Sequence, residues 1–440
     1  MAGVGLDMLR AEIGECIATR VLGQVAEVGH GVLRVTGTGK GWCLGDRVRL
    51  ECGIGGEVVS LAAGSVTVLT DGPVDGLRLG DGVEHLGPGG IAPDDSWIGR
   101  VVDAFGQSMD GRPIVRGANQ RPLQTPPPSP ALRKRLGQRL ETGVAVFNTL
   151  LPLVRGQRIG LFAGSGVGKS SLLAKFARGV EADVIVIALI GERGRELREF
   201  VEAVLGPEGM ARSVVVAATS DQSPLVRRRC AWTAMAIAEH FRDQGRQVLL
   251  LADSITRFAE AHREVALAAG EPSTLRGFPP STSHLIMSLA ERAGPGPEGA
   301  GDITAVFSVL VAGSDMDEPV ADILRGVLDG HVVMEREIAE RGRYPAINLL
   351  RSVSRSLPQA ASDAENLLIA RARQLLGAYD RAEMMIQAGL YMAGSDPLID
   401  TAIRVFLALD AFLSEDEPDS TAASFARLKV ILDRAGAGQC

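Results

Sequence analysis

Five nearly continuous apolar runs between about residues 141 and 355 constrain the fold of this 440-residue chain more than any other feature. The runs are RIGLFAG, DVIVIALIG, SVVVAAT, QVLLLAD and DITAVFSVLVAG, and segments with helical patterning separate them. A strand without polar alternation is buried on both faces, as in a parallel sheet that helices cover on each side. The sequence therefore predicts an α/β core over residues 141–355.

The first run leads into a glycine-rich loop that is typical of phosphate binding. The loop reads AGSGVGKS, with alanine where glycine is common in the first position, and a helical segment follows it. Glycines let backbone N–H groups converge on phosphate oxygens, and the helix N-terminus adds positive potential. Lys169 supplies a point charge, and the Ser170 hydroxyl can ligate Mg²⁺. The predicted nucleotide-binding residues of this loop are Ala163, Gly164, Ser165, Gly166, Val167, Gly168, Lys169, Ser170 and Ser171.

Two carboxylates follow later strands, at the edge where ligands bind in such sheets. Asp253 ends the run QVLLLAD and is predicted to ligate Mg²⁺, although an aspartate there can also cap the next helix. Glu192 follows DVIVIALIG and is predicted to polarise an attacking water, although a first-turn glutamate can also interact with a helix dipole. Together with the loop, they predict a Mg²⁺-dependent nucleotide site.

Charge and cysteine content narrow the functional classes. A formal net charge of −7 argues against a protein that coats nucleic acid, so the arginine run Arg227–Arg229 is interpreted as the solvated or interfacial side of a helix. The chain has five widely spaced cysteines and no Cys-x-x-Cys pair, which is typical of a protein in a reducing cytosol. The apolar runs are shorter than the ~20 residues of a membrane helix, so we expect a cytoplasmic protein that is at most peripheral to a membrane.

Three other regions have their own patterns. Short Val- and Leu-rich runs with frequent glycines over residues 21–90 predict a small β-barrel. Residues 91–140 are predicted to be a connecting segment with a linker, because four prolines between positions 126 and 130 exclude regular structure. Residues 356–440 have helical periodicity and predict a helical C-terminal domain.

The first 20 residues predict an amphipathic helix, with apolar side chains at helical spacing. This helix either covers the next domain or docks a partner protein. Its apolar stripe consists of Leu6, Leu9, Ile13 and Ile17.

Several motifs together resemble the rotary-type ATPases, the kin of ATP synthase α and β subunits. The motifs are GERGRE, LLLADSITRFA and RYPAINLLRSVSR, of which PAINLLRSVS matches that family's signature. The resemblance covers nearly the whole chain and implies a RecA-like parallel-sheet core with an N-terminal β-barrel and a C-terminal helical domain. Within this group, LAAGEPSTLRGFPPS and LAERAGPG resemble the flagellum-specific type III export ATPases, whose cousins are the injectisome export ATPases.

This resemblance implies roles for individual residues. Glu192 matches the catalytic carboxylate, and Arg355, which closes the SVSR motif, matches an arginine that reaches into the neighbouring subunit's site. Tyr344 matches the residue that stacks on adenine, whereas Arg193 and Arg257 match supporting arginines near the γ-phosphate. Outside this family, the same arginines would be surface ion pairs, and Tyr344 would be a core residue.

The sequence departs from the family pattern in two places. The segment GVAVFN has Ala145 and Asn148 where the family often has arginine and aspartate. The second aromatic of the adenine pocket has no clear counterpart, and Phe412 is only a suggestion for it.

One chain carries both Glu192 and Arg355, whereas ATP synthase divides these residues between its β and α subunits. The sequence therefore predicts a homohexamer in which identical copies complete each other's sites. The resemblance further implies Mg²⁺-dependent ATP hydrolysis that assists flagellar type III export at the inner face of the membrane. Implied partners are a regulator or stator protein at the N-terminal helix, export-apparatus proteins, chaperones and export substrates, but no nucleic acid.

Three alternatives stay open at this level. An injectisome ATPase would differ in clientele and not in chemistry. A non-hydrolysing nucleotide-binding subunit of a hetero-hexamer is the second, and Glu192 argues against it. An RNA translocase with the same core is the third, but the barrel region holds Trp42 and no Phe or Tyr for base stacking.

Overall fold

The computed structural model describes residues 22–436, except residues 30, 40, 275–276, 312–315 and 418. These residues form a closed β-barrel, then a mainly parallel sheet between layers of helices, and then a group of C-terminal helices. The fold class predicted from the sequence is thereby confirmed. The amphipathic helix predicted over residues 1–20 lies outside the described residues.

The barrel closes because its first strand pairs with both the second and the last. Its interior is filled by aliphatic side chains from alternate positions, such as Leu33, Val48 and Val68, each of which is fully buried. The strands are β1 (Leu22–Val28), β2 (Val32–Thr36), β3 (Asp46–Leu50), β4 (Gly55–Ala62), β5 (Ser65–Thr70) and β6 (Gly82–Pro88), in the order β1-β2-β5-β4-β3-β6.

The segment after the barrel contributes a strand to the large sheet. Short strands β7 (Gly90–Ile91) and β9 (Arg121–Pro122) pair with each other. Between them, β8 (Arg100–Asp103) lies parallel to a core strand, Ser213–Thr219. The segment interpreted as a connection therefore also supplies one edge of the core.

The large sheet brings the ends of four central strands together. Its further strands are β10 (Arg158–Ala163), β11 (Val184–Glu192), β12 (Ser213–Thr219), β13 (Val248–Asp253), β14 (Gly294–Pro295), β15 (Asp302–Leu310), β16 (Gly330–Met334) and β17 (Ile347–Ser354). Their order is β17-β16-β10-β15-β13-β11-β12-β8, and β14 pairs with β15 off this path. The strands from β16 to β8 are parallel, whereas β17 is antiparallel to β16. The loops after β10, β15, β13 and β11 therefore meet at one edge.

Helices cover both faces of this sheet. Along β11, Ile185 and Ile187 belong to a hydrophobic core with the helix after β10, whereas Val184 and Val186 belong to a second core with the helix after β12. The helices of this region are α1 (Ala145–Asn148), α2 (Lys169–Gly179), α3 (Gly194–Glu199), α4 (Gly206–Met210), α5 (Pro224–Asp243), α6 (Ile255–Ala268), α7 (Ser281–Arg292), α8 (Pro319–Val327) and α9 (Arg336–Glu340), and a π-helical turn, Phe200–Leu205, joins α3 to α4.

The C-terminal helices continue the first of these cores. They are α10 (Asp363–Gln387), α11 (Pro397–Phe412) and α12 (Thr421–Gly436). Asn148 is fully buried, and its amide nitrogen donates to the Ser424 hydroxyl at 3.1 Å. The residue that departs from the family pattern thus ties the start of the core to α12. Within the described part of the chain, no helix combines the length and apolar character that crossing a bilayer demands.

Candidate active site

The glycine-rich loop joins β10 to α2 and adopts a conformation that its glycines permit. Gly166 and Gly168 have φ angles of 79° and 88°, in the left-handed region that residues with a Cβ atom rarely adopt. Gly168 is the residue immediately before α2, so the loop opens onto the N-terminus of that helix. Its free N–H groups and the positive end of the helix dipole favour an anion there.

Lys169 and Asp253 meet beside this loop. The ammonium of Lys169 donates to Oδ1 of Asp253, and the Ser308 hydroxyl donates to the same oxygen at 2.6 Å. Asp253 is 3% exposed, so a charged donor and a neutral donor together satisfy a buried carboxylate. The cap of α6 is Ser254 and not Asp253, because the Ser254 hydroxyl accepts the Arg257 N–H at 3.3 Å. Asp253 is therefore free of the capping role that the sequence also allowed.

Glu192 is the last residue of β11 and faces the same site. Burial, the negative charge of Asp253 and a hydrogen bond with Glu196 raise its pKa to about 7, although Lys169 acts in the opposite direction. A carboxylate with a pKa near neutral pH can accept a proton from water and release it again. The environment of Glu192 therefore suits a general base.

Two adjoining pockets surround these groups and share Ser170, Ser171, Glu192 and Glu196. The larger has a volume of about 480 Å³, and the smaller, of about 290 Å³, also includes Asp253. The larger pocket is lined by Gly164, Ser165, Gly166, Gly168, Lys169, Ser170, Ser171, Gly191, Glu192, Arg193, Glu196, Ser220, Arg257 and Leu310. Most of the loop residues singled out from the sequence thus line one pocket; Ala163 and Val167 instead bury their side chains in the core.

Both supporting arginines lie in the wall of the larger pocket. Arg193 pairs with Glu196 and Arg257 pairs with Glu260, each at 3.0 Å. These are i,i+3 pairs at the surface, which contribute little to stability. Either guanidinium can therefore exchange its partner for a phosphate oxygen at small cost.

Tyr344 lies against the glycine-rich loop. A Cβ atom built on Gly168 would lie 3.0 Å from Cδ1 of the Tyr344 ring. Tyr344 is 50% exposed, so it is not a core residue and has a face available for stacking. Phe412 is fully buried in the core beneath the C-terminal helices, so the suggestion that it is the second adenine aromatic is wrong.

Arg355 lies at the opposite ends of the strands from the glycine-rich loop. It directly follows Ser354, which pairs with Gly330 at the start of β16, whereas Ala163 beside the loop pairs with Met334 at the end of β16. Four residues of strand separate the two levels, or about 13 Å. Arg355 is exposed, and its Nη2 donates to the Arg325 carbonyl oxygen at 3.2 Å. It is therefore outside the nucleotide pocket of its own chain.

Comparison with known proteins places this arrangement in a family. The model described as "ATP synthase alpha/beta family, nucleotide-binding domain" matches residues 143–354, and "T3SS EscN ATPase C-terminal domain" matches residues 361–429. The flagellum-specific ATP synthase of Caulobacter vibrioides is 46% identical over 94% of this chain and 96% of its own length. The chain belongs to the ATP synthase α/β family, among its flagellum-specific and type III secretion ATPases.

Other members of this family are similar to this chain in sequence and in structure. The type 3 secretion system ATPase of Xanthomonas euvesicatoria is 42% identical over 92% of both chains. The assembled ATPase EscN of enteropathogenic E. coli superposes with a TM-score of 0.87 at 36% identity, covering 93% of this chain and all of EscN. The protein is thus an enzyme of the P-loop ATPase class.

The residues present fit a Mg²⁺ ion that arrives with the nucleotide. The Ser170 hydroxyl and the Asp253 carboxylate line one pocket and offer the oxygen ligands that Mg²⁺ prefers. The described residues contain no cluster of three or more His, Cys, Asp or Glu that could hold a metal by itself. Magnesium is usually bound by one or two protein oxygens together with phosphates and waters, so this sparse set is sufficient.

Sequence reasoning missed several polar residues of the site, including Ser220 of the larger pocket and the hydrogen-bond partners of its two carboxylates. Glu196 lies four residues after Glu192, in the first turn of α3, and is hydrogen-bonded to it, and the second acid of GERGRE was a visible signal. Ser308 was detectable as the one hydroxyl in the apolar run AVFSVLV, since a buried hydroxyl needs a partner. Its partner, Asp253, lies 55 residues away and could not be named without the fold.

Proposed function

We propose that the chain hydrolyses Mg-ATP in a ring of six identical copies and that this activity assists flagellar type III protein export. The single observation that carries the proposal is the placement of Glu192 and Arg355. Glu192 lies in the chain's own pocket, whereas Arg355 is exposed at the other end of the strands, about 13 Å along the strand direction from the level of the glycine-rich loop. Each copy would therefore supply Arg355 to the nucleotide pocket of a neighbouring copy.

Each residue of the pocket has a defined task in this reaction. The loop N–H groups and Lys169 bind the phosphates, and Tyr344 stacks on the adenine. Glu192 orients the attacking water and accepts its proton. Ser170 and Asp253 would hold Mg²⁺, which would neutralise charge on the phosphate oxygens when bound.

The arginines complete the charge balance of phosphoryl transfer. Arg193 and Arg257 approach the γ-phosphate from the same chain, and Arg355 approaches it from the neighbouring one. An arginine supplied in trans typically accelerates phosphoryl transfer by about 10³–10⁵. A chain without a neighbour should therefore bind ATP but turn it over slowly.

Relatives support assembly and partner binding. EscN is described as an assembled ATPase, and a second structure shows it in complex with its central stalk EscO. By similarity, we propose a stalk protein, chaperones and export substrates as partners, and a regulator at residues 1–20. The chain would work in the cytoplasm, peripheral to the membrane-bound export apparatus.

Flagellar export is favoured over injectisome export by the names of the relatives. The flagellum-specific ATP synthases of Caulobacter vibrioides, Pseudomonas aeruginosa and Salmonella typhimurium are 45–46% identical to this chain, against 42% for the secretion ATPase of Xanthomonas euvesicatoria. The difference is small, and the second assignment uses the same site. Deletion of the gene should abolish export of flagellar filament protein; unchanged filaments with lost effector secretion would establish the injectisome role instead.

The enzymatic part is tested by the dependence of turnover on protein concentration. We expect the specific ATPase activity of purified protein with Mg²⁺ to rise steeply over the concentration range in which rings form, and to disappear with EDTA. Analytical ultracentrifugation on the same samples identifies that range. An activity per chain that is constant from monomer to ring would contradict the shared-site proposal.

A further inference from the structure

The three consecutive arginines of the VRRRC motif have different partners. Arg227 pairs with Glu264 at 2.9 Å, and Arg228 pairs with Glu57 of the barrel at 2.7 Å. Arg228 and Arg229 are equally buried, each 7% exposed. Among the residues that the structure describes, however, Arg229 has no carboxylate within ion-pair distance, and its Nε donates to the carbonyl oxygen of Ala104 at 3.1 Å. Arg229 is therefore a buried cation whose charge is not balanced by a direct partner.

Charges of both signs surround Arg229. Its guanidinium lies 5.0 Å from the centre of the Phe105 ring, and the guanidinium of Arg47 lies 4.6 Å from the same ring. Arg47 is itself neutralised by Asp71, with contacts of 3.0 and 2.6 Å. Burial and the nearby charge of Arg47 lower the pKa of Arg229 to about 10, although Glu57, Asp71 and Asp103 act in the opposite direction. Burying such a charge without a directly paired carboxylate costs stability.

An open pocket of about 410 Å³ lies in front of this cation, at the junction of barrel and core. Four arginines and no carboxylates are among its lining residues. The loop after β6 passes so close to Arg229 that a Cβ built on Gly89 would lie 2.8 Å from Nη1. The lining arginines are Arg47, Arg49, Arg116 and Arg229.

We propose that this pocket, the junction pocket, binds a compact anion with two or more phosphate groups. Guanidinium groups match phosphate oxygens in charge and geometry, and each has five N–H donors. Arg47, paired with Asp71 at 2.6 Å, and Arg49, 3.8 Å from Glu84, therefore keep donors for an anion, so the pocket suits more than one phosphate. A volume of about 410 Å³ lies within the range of small-molecule sites. Free polyphosphates and the phosphates of a nucleotide share this chemistry, and the test below distinguishes them.

The position of the junction pocket gives such an anion a structural effect. Arg47 and Arg49 belong to β3 of the barrel, whereas Arg229 belongs to α5 of the core. A ligand bridging them would hold the barrel against the core. We expect it to raise the melting temperature of the protein.

The experiment is calorimetric titration of the full-length protein with inorganic pyrophosphate. The glycine-rich loop is first saturated with Mg-AMP-PNP, and its binding is measured separately, so that a failure of nucleotide binding is recognised on its own. We expect one additional equivalent of pyrophosphate to bind. In the second arm, a further equivalent of AMP-PNP that pyrophosphate displaces would identify a nucleotide as the source of the phosphates.

Substitutions at the junction pocket decide the outcome. R229Q removes the buried cation, and the double variant R49Q/R116Q changes residues with exposed side chains, so it preserves folding if R229Q does not. Each should weaken pyrophosphate binding by about 10- to 100-fold. R34Q, on the barrel surface with a partner at 3.6 Å in Glu27, is the matched control and should bind as wild type does. Absence of pyrophosphate binding in nucleotide-loaded wild type, or undiminished binding by R49Q/R116Q, would overturn the proposal.

Discussion

The two ends of strand β17 differ in what surrounds them. Just before the strand, Tyr344 lies against the glycine-rich loop, at the edge where Lys169, Glu192 and Asp253 are buried or partnered within the chain. Just after it, Arg355 is exposed and donates to a backbone carbonyl oxygen, with no nucleotide pocket of its own chain in reach. The first end belongs to a site that one chain nearly completes, and we propose that the second end supplies Arg355 to the site of a neighbouring copy.

This difference teaches why hydrolysis should depend on assembly. Nucleotide binding needs the first end alone, because the loop, lysine and tyrosine come from one chain. In the proposed mechanism, fast turnover needs both ends, because a further cation would stabilise the charge that develops in phosphoryl transfer. Substitutions at the two ends should therefore separate binding from turnover.

The largest effect is expected for Arg355→Ala. Removing an arginine supplied in trans should lower kcat by about 10³–10⁵, while ATP affinity stays within a few-fold of wild type. Steady-state turnover and equilibrium binding of a fluorescent ATP analogue measure the two quantities under ring-forming conditions. Arg336→Ala, an exposed arginine paired with Glu340 at 2.9 Å, is the control. Wild-type turnover by Arg355→Ala would mean that Arg355 takes no part in hydrolysis.

Glu192→Gln should have the next largest effect. The amide keeps the shape of the side chain but cannot accept a proton, so kcat should fall by about 10²–10⁴ with nucleotide binding retained. The exposed Glu202, paired with Arg198 at 2.9 Å, provides the matched control Glu202→Gln. If Glu192→Gln lost ATP binding and turnover equally, Glu192 would be part of the binding surface and not the base.

Tyr344→Ala should affect binding more than chemistry. Loss of a stacking partner costs about 1–3 kcal/mol per base, so we expect KM for ATP to rise by about 5- to 150-fold with a smaller change in kcat. Tyr344→Phe keeps the ring and should behave as wild type. An unchanged KM in Tyr344→Ala would show that Tyr344 does not stack on the adenine of bound ATP.

The smallest effect is the pH dependence of wild type. Because the pKa of Glu192 is raised to about 7, its neutral acid form predominates at lower pH and cannot act as a base. The ratio kcat/KM reports the free enzyme, so it should rise with pH and level off above about 7, with about a tenfold loss one unit below. AMP-PNP affinity over the same range serves as the control. A flat kcat/KM profile between pH 6 and 8 would contradict this assignment.

Local patterns predicted the glycine-rich loop and the two carboxylates of the nucleotide site well, whereas Tyr344 was assigned through the family motif. The apolar runs located the buried strands, and the carboxyl ends of parallel strands then placed Glu192 and Asp253 together. Arg355 was assigned through the family motif, but its placement required the structure. The reversal of β17 against β16 moves Arg355 to the far edge, and no local pattern contains that pairing.

Other misses share this non-local origin. β8 is a four-residue strand in a proline-containing connecting segment, and it becomes part of the sheet only through β12, more than 100 residues later. The arginine run was interpreted as solvated or interfacial, and the ion pair of Arg228 with Glu57 makes it interfacial. Successive residues on a helix point about 100° apart, so each arginine meets a different neighbour that the sequence does not name.

The most direct test of the shared site mixes two inactive chains. Arg355→Ala chains retain Glu192, and Glu192→Gln chains retain Arg355, so a mixed ring contains some boundaries with both groups intact. With random assembly from equal amounts, about a quarter of the boundaries should be complete, and we expect turnover to recover toward that fraction of wild type. If the mixture hydrolyses ATP no faster than the sum of its two components, the two groups do not meet across a subunit boundary.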